Sequence, residues 1–173
     1  MTMTWIDTAG GPLICAAYPT GLSWGGTQAS STGDTRSDYD RACEVIDYVG
    51  VVPCASSRVL VFGDEPLQTT VLIINGGIAV VRWVSCVSEG DAQTVLAEIP
   101  TALPQLEAPK SISIEAERLV LFDSAYSLDA APRLLEVALS PGLYEVSTEK
   151  FASPGVFEFL VHRMVRAAEL HPT

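Results

Sequence analysis

The sequence predicts a mainly β (α+β) protein, built of antiparallel meanders and hairpins with one to three short helices. Three observations predict it. Apolar and β-branched residues recur with period two through most of the chain, punctuated by Gly, Pro, Asn and Asp. Asn75-Gly76 stands between two such runs, and Asn-Gly in that setting is the strongest short-range hairpin signal a sequence carries. Helix-start signals are confined to two stretches.

Residues 25–34 are rich in Gly, Ser and Thr and read as a mobile loop. Ser37-Asp-Tyr-Asp40 then fits a capping box, in which Ser37 and Asp40 satisfy the first orphan amides of a short helix reaching about Glu44. Arg58-Val-Leu-Val-Phe62 is a strand closed by the turn residues Gly63-Asp64-Glu65-Pro66. Residues 69–74 and 78–84 are the next two strands. They are joined by Asn75-Gly76 in a type I′ turn, and 58–84 reads as one meander. A second helix is expected over 91–99, with Asp91 as N-cap and Pro100 ending it. The pattern pauses around Pro104 and Pro109. Ser111-Ile-Ser-Ile114 alternates like a half-buried strand, and 118–122 is another. Residues 134–139 and 143–148 flank Pro141-Gly142, a type II turn sequence, and read as a second hairpin. Residues 156–165 fit a last strand, because Phe157, Phe159 and Val161 alternate; a helix through Ala168 is the other reading. Two parts follow, 1–105 and 106–173, packed as one compact unit. Arg58-Val-Leu-Val-Phe62 and Arg118-Leu-Val-Leu-Phe122 match in type throughout, which admits either duplication or the common look of buried strands.

The charge balance narrows the function. Ten Lys and Arg face 21 Asp and Glu, a net charge of −11. Such a surface repels phosphate backbones and anionic lipid, so neither nucleic acid nor membrane is expected as a direct partner. It attracts a basic partner, or it simply keeps the protein soluble. Charged residues make up 18% of the chain, below the usual quarter, while hydrophobic residues reach 48%. Some apolar surface is therefore expected to remain for a partner or a second copy, leaving monomer and homodimer both open. The start, MTMTWIDTAGG, has neither the basic nor the apolar region of a signal peptide, and a cytoplasmic location is expected. Cys15, Cys43, Cys54 and Cys86 form no CxxC pair, and only His162 and His171 accompany them. No metal or cofactor is expected, and the cysteines read as small buried hydrophobes.

Catalytic patterns are weak. Gly21-Leu-Ser23-Trp-Gly25 matches G-x-S-x-G, with Asp123 and His162 following in hydrolase order. That motif needs a strand entering the Ser and a helix leaving it; here Pro19 precedes it and a Gly/Ser/Thr loop follows. Asp38-Tyr-Asp40 could hold a divalent ion with Asp64 and Glu65, but the same acids are accounted for by helix capping and pairing with Arg41. No enzyme is expected.

Trp5-Ile6, Gly10-Gly-Pro-Leu-Ile14, Trp24, Asp38-Tyr-Asp-Arg-Ala-Cys43, Leu60-Val-Phe-Gly-Asp-Glu-Pro66, Thr69-Thr70 and Val81-Arg-Trp83 occur in order over roughly residues 5 to 85. In this the chain resembles the immunity protein 21 family of bacterial polymorphic-toxin systems; the second half matches much less clearly. The resemblance implies a cytoplasmic inhibitor that binds and neutralises a cognate toxin. Such a toxin would be basic and nuclease-like if an acidic face covers its active-site groove. Asp34, Asp38, Asp40, Glu44, Asp64 and Glu65 are the candidate partner-binding residues, since 34–65 holds seven acids (34, 38, 40, 44, 47, 64, 65) against three Arg (36, 41, 58). Trp24 on the mobile loop, or an exposed strand edge, is the competing placement. Two rival classes remain: a carboxylate-based, metal-dependent enzyme of unrecognised type, and a self-associating structural β module.

Overall fold

The long apolar runs become strands that are buried on both faces. The computed structural model describes residues 3–63 and 67–167, so Asp64, Glu65 and His171 lie outside the described residues. The strands are β1 (Leu13–Ala17), β2 (Val49–Cys54), β3 (Ser57–Phe62), β4 (Thr69–Ile74), β5 (Gly77–Ser85), β6 (Lys110–Ile114), β7 (Arg118–Asp123), β8 (Leu134–Ala138), β9 (Gly142–Ser153) and β10 (Phe157–Arg166). Three short helices join them: α1 (Tyr18–Gly21), α2 (Asp38–Cys43) and α3 (Glu89–Leu96), with a 3₁₀ turn over Leu128–Ala130. The expected mainly β fold with a few helices is what forms.

Two antiparallel sheets stack face to face. The first has the order β2-β3-β1-β7-β8 and the second β4-β5-β10-β9-β6. Between them lie Leu13, Cys15, Leu60, Phe62, Leu119 and Leu121 from the first sheet, against Ile78, Val80, Tyr144, Val146 and Met164 from the second. The outer faces are covered too. Ile14, Val59, Val61, Val120 and Phe122 pack outward against Trp24, Ala42 and Leu128. On the other side Ala79, Val81, Phe159 and Val161 pack under Ala92 and Leu96 of α3. This layering consumes most of the apolar composition, and it explains why β3, β5 and β7 read as continuous apolar runs instead of alternating.

Sheet membership departs from the expected hairpins. Residues 58–84 do not form one meander, because β3 belongs to the first sheet while β4 and β5 form a hairpin in the second. The β4–β5 turn is not type I′: Gly76 has φ +75° but Asn75 keeps negative φ. Pro141-Gly142 joins no hairpin either. β8 pairs with β7 in the first sheet, and β9 pairs with β10 and β6 in the second, so this turn carries the chain across the sandwich. A turn sequence fixes a reversal, but the apolar faces decide which sheet receives the next strand.

The apparent duplication dissolves in the register. β3 and β7 do flank β1, yet Ile14 faces Val61 on one side and Phe122 on the other, while Leu13 faces Phe62 and Asp123. The two runs are offset by one residue, which turns every side chain to the opposite face. Phe62 therefore points between the sheets and Phe122 points outward.

α2 starts as expected, with Ser37 as N-cap and a full Ser37–Asp40 capping box. α3 starts earlier than expected. Its N-cap is Ser88, whose hydroxyl accepts from the Asp91 amide, so Asp91 sits inside the first turn. β10 settles residues 157–166 as strand. No helix among the described residues is long and apolar enough to cross a membrane.

Candidate partner-binding surface

The candidate residues cluster around the segment that runs from α1 to β2 over the outer face of the first sheet. Asp38 organises it. Its carboxylate accepts from the Gly25 amide (2.8 Å), the Ser31 amide (2.9 Å) and the Ser31 hydroxyl (3.1 Å), and it pairs with the Arg41 guanidinium. Arg41 in turn donates from Nη1 to the Pro53 carbonyl of β2 at 2.8 Å. Asp38 is 0% exposed and Arg41 8%. A buried carboxylate in water's absence demands this many donors.

Residues 25–34 form a loop, as expected, and hydrogen bonds tie it down at several points. Besides the bonds to Asp38, the Thr27 amide donates to the Ala125 carbonyl and the Tyr39 amide to Gly26. Gly26 adopts φ +59°, and a Cβ there would come within 2.5 Å of the Ala125 carbonyl, so only glycine fits that approach. Trp24, expected as an exposed anchor, is 1% exposed and donates from Nε1 to the Ser124 carbonyl at 2.8 Å. Trp24 and Asp38 thus lie buried in the core of this layer.

Asp34, Asp40 and Glu44 are exposed and lie on the outside of the segment. Arg36 ties two of them together, reaching Asp34 at 3.1 Å and also Glu44. Hydrogen bonding from Arg36 holds the Asp34 carboxyl down to about 2 and raises Arg36 itself, so both stay charged at any physiological pH. Asp40 is engaged with the Ser37 amide and hydroxyl as the capping box requires. Beside them a shallow cleft of about 360 Å³ is lined by Thr32, Asp34, Arg36, Glu44 and the β2 residues Val51, Val52 and Pro53. The acid count therefore overstates the local field. Asp38 is neutralised internally, Asp47 pairs with Lys110 at 2.8 Å, and Asp34 shares Arg36 with Glu44. What remains outward is a carboxylate set at 34, 40 and 44 around Arg36, with the exposed Arg58 opposite Pro53 at the cleft's edge.

The residues of the hydrolase-like pattern are dispersed. Ser23 is exposed on the turn after α1, Asp123 accepts from the Ala9 and Ala125 amides, and His162 lies between the sheets against Thr148. Among the described residues no group of three His, Cys, Asp or Glu is placed to hold a metal ion.

The sequence model of the immunity protein 21 family matches residues 4–155, most of the chain and well past the roughly 5–85 span of the quoted motifs. The chain belongs to the immunity protein 21 family. No curated protein and no solved structure matches it. Among the described strands the family match takes in β1 to β9 and does not reach β10, and it includes every candidate partner-binding residue. Of those residues, membership of this family gives none a role; the fold sorts them into buried supports (Trp24, Asp38) and an exposed set (Asp34, Asp40, Glu44).

Proposed function

We propose that this protein is an immunity protein that binds a cognate bacterial toxin in the cytoplasm and neutralises it without catalysing a reaction. The observation that carries the reading is the family match over residues 4–155. The exposed carboxylates at Asp34, Asp40 and Glu44 supply a face that suits a cationic groove. Most nucleases bind their substrate's phosphates with such a groove, and a carboxylate surface placed over it excludes the substrate while speeding encounter. On this reading the net charge of −11 raises the association rate and makes it salt-sensitive.

The test is co-expression with the protein encoded by the adjacent reading frame, scoring survival and co-purification together. Rescue with a stable complex is expected. A toxic neighbour that is neither bound nor rescued would remove the reading for this pair. For the acidic face, the double variant Asp34→Lys, Glu44→Lys is expected to slow association by about tenfold at low salt, with a smaller effect at high salt. An unchanged rate with an intact fold would move the interface elsewhere.

A further inference from the structure

The β4 edge of the second sheet is built differently from the other sheet edges among the described residues. Sheet edges present unpaired amides and carbonyls, and natural chains protect them with charge or proline. Three of the four edge strands here carry such protection: Pro53 in β2, Lys110 in β6 and Glu136 in β8. β4, with the sequence TTVLII, carries neither.

Its backbone is available. Thr69 exchanges both of its main-chain bonds with Ile6, at 2.7 and 2.9 Å, on the side away from β5. β4 pairs with β5 without a bulge, so the alternation of the ladder turns the amides and carbonyls of Val71 and Ile73 outward in the same way. Among the described residues, Ile6 takes only the first backbone position along this edge, and beyond it the Thr4 carbonyl accepts the Thr70 hydroxyl at 2.8 Å, not a backbone bond of Val71. The Ile73 side chain is 73% exposed.

A groove of about 650 Å³ runs along this edge. Leu135 and Val137 of β8 form one wall; Met3, Leu96 and Ile99 form part of the other. A strand laid beside β4 would place alternate side chains on each wall, so both of its faces would be apolar or long enough to cover apolar surface. Acid predominates around the groove. Glu136, the single charged lining residue, pairs with Arg118 at 3.1 Å, while the exposed Glu98 follows the lining residue Ala97 and residues 89–98 hold three acids (89, 91, 98) and no Lys or Arg. A second copy of this chain would bring the same carboxylates and its own −11 to the contact.

We infer that the β4 edge, at Val71 and Ile73, receives an extended segment of the partner protein as an added strand, one that alternates apolar residues with Lys or Arg. Main-chain bonds supply the affinity and the walls read the alternate side chains. This rests on the proposed role as a toxin-binding protein, and it places a second contact on the opposite sheet from the acidic cleft.

The probe is a blocked decapeptide of alternating Lys and Val, with alternating Glu and Val as the control, titrated into the full chain while amide exchange is read residue by residue. The Lys–Val peptide is expected to slow exchange at Val71 and Ile73 by about tenfold or more, to weaken with salt, and to outbind the Glu–Val peptide. Ile73→Pro removes an outward amide but no β4–β5 bond, so it should keep the melting transition and bind about tenfold more weakly. Ile73→Lys, which leaves the backbone intact, should weaken binding by charge alone. The inference fails if the peptide protects other amides, or if Ile73→Pro binds unchanged. Equal binding of both peptides also sinks it. Protection of the two amides without peptide would instead name a second copy as occupant if it rises with protein concentration, or the chain's own first residues if it does not. A failed co-expression rescue would remove the immunity reading without touching these results.

Discussion

At the scale of single residues, buried polar groups define what each part of the molecule tolerates. Asp38→Ala would leave the Arg41 guanidinium buried without its carboxylate and free the Gly25 and Ser31 amides. A loss of about 3–5 kcal/mol is expected from urea denaturation, and a loss under 1 kcal/mol would mean the pair is not a support. His162 is the second case. Thr148 donates its hydroxyl to Glu107 (2.9 Å) and its oxygen lies 3.0 Å from His162 Nδ1, which makes Nδ1 the protonated nitrogen of a neutral ring. Nε2 is buried with no hydrogen-bond partner among the described residues, and Phe62 packs on the ring at 4.8 Å. Burial, with Arg82 nearby, lowers its pKa well below 6.5. The unfolded chain takes up this proton near pH 6.5 and the folded chain does not, so stability should fall as pH drops through 6.5, by at most about 1.4 kcal/mol per pH unit. His162→Gln should flatten melting temperature against pH between about 6.5 and 5; an unchanged slope would assign it to other groups. The cysteines divide as well. Cys15 and Cys54 are buried, with burial pushing the Cys15 thiol up to about 12, whereas Cys43 is exposed and does not serve as core.

At the scale of elements, helix α3 tests how well caps can be read. Ser88→Ala should cost about 1 kcal/mol by removing the hydroxyl that accepts from the Asp91 amide. Asp91→Ala should cost less, and the reverse order in thermal melts would restore Asp91 as the cap. The sequence led to Asp91 because an acid before an apolar run resembles an N-cap, and Ser88 lies in a stretch with little periodicity. The strands that were legible, β3 to β10, carry apolar or alternating runs. β1 and β2 were not legible. β1 is five apolar residues after Pro12 with no alternation, because both of its faces are buried at the centre of the first sheet. β2 contains Gly50 and Pro53, which a central strand would exclude and an edge strand accepts. The candidate surface was half legible for a related reason. Asp34, Asp40 and Glu44 are acids on a polar segment and stay exposed, but the burial of Trp24 depends on the Ser124 carbonyl a hundred residues away. No local pattern carries that information.

At the scale of the whole molecule, the interleaving of strands governs how the chain can be divided. β1, β2 and β3 share the first sheet with β7 and β8; β4 and β5 share the second with β6, β9 and β10. Cutting at residue 105 would strip β7 from one side of β1 and β10 from one side of β5. Each loss exposes a full row of main-chain donors and acceptors along a strand that is apolar on both faces, the combination most prone to aggregate. It would also open the inter-sheet core, since Leu13, Leu60, Phe62, Ile78 and Val80 lose Leu119, Leu121, Val146 and Met164 from across the cut. We therefore propose that 1–105 and 106–173 fold only as one unit. The full chain should unfold in a single transition with matching midpoints by far- and near-ultraviolet circular dichroism. The fragment 1–105 should aggregate or show no cooperative melt. A soluble fragment that melts cooperatively, or two separated transitions in the full chain, would show that the first part is a domain in its own right and that the second is added to it.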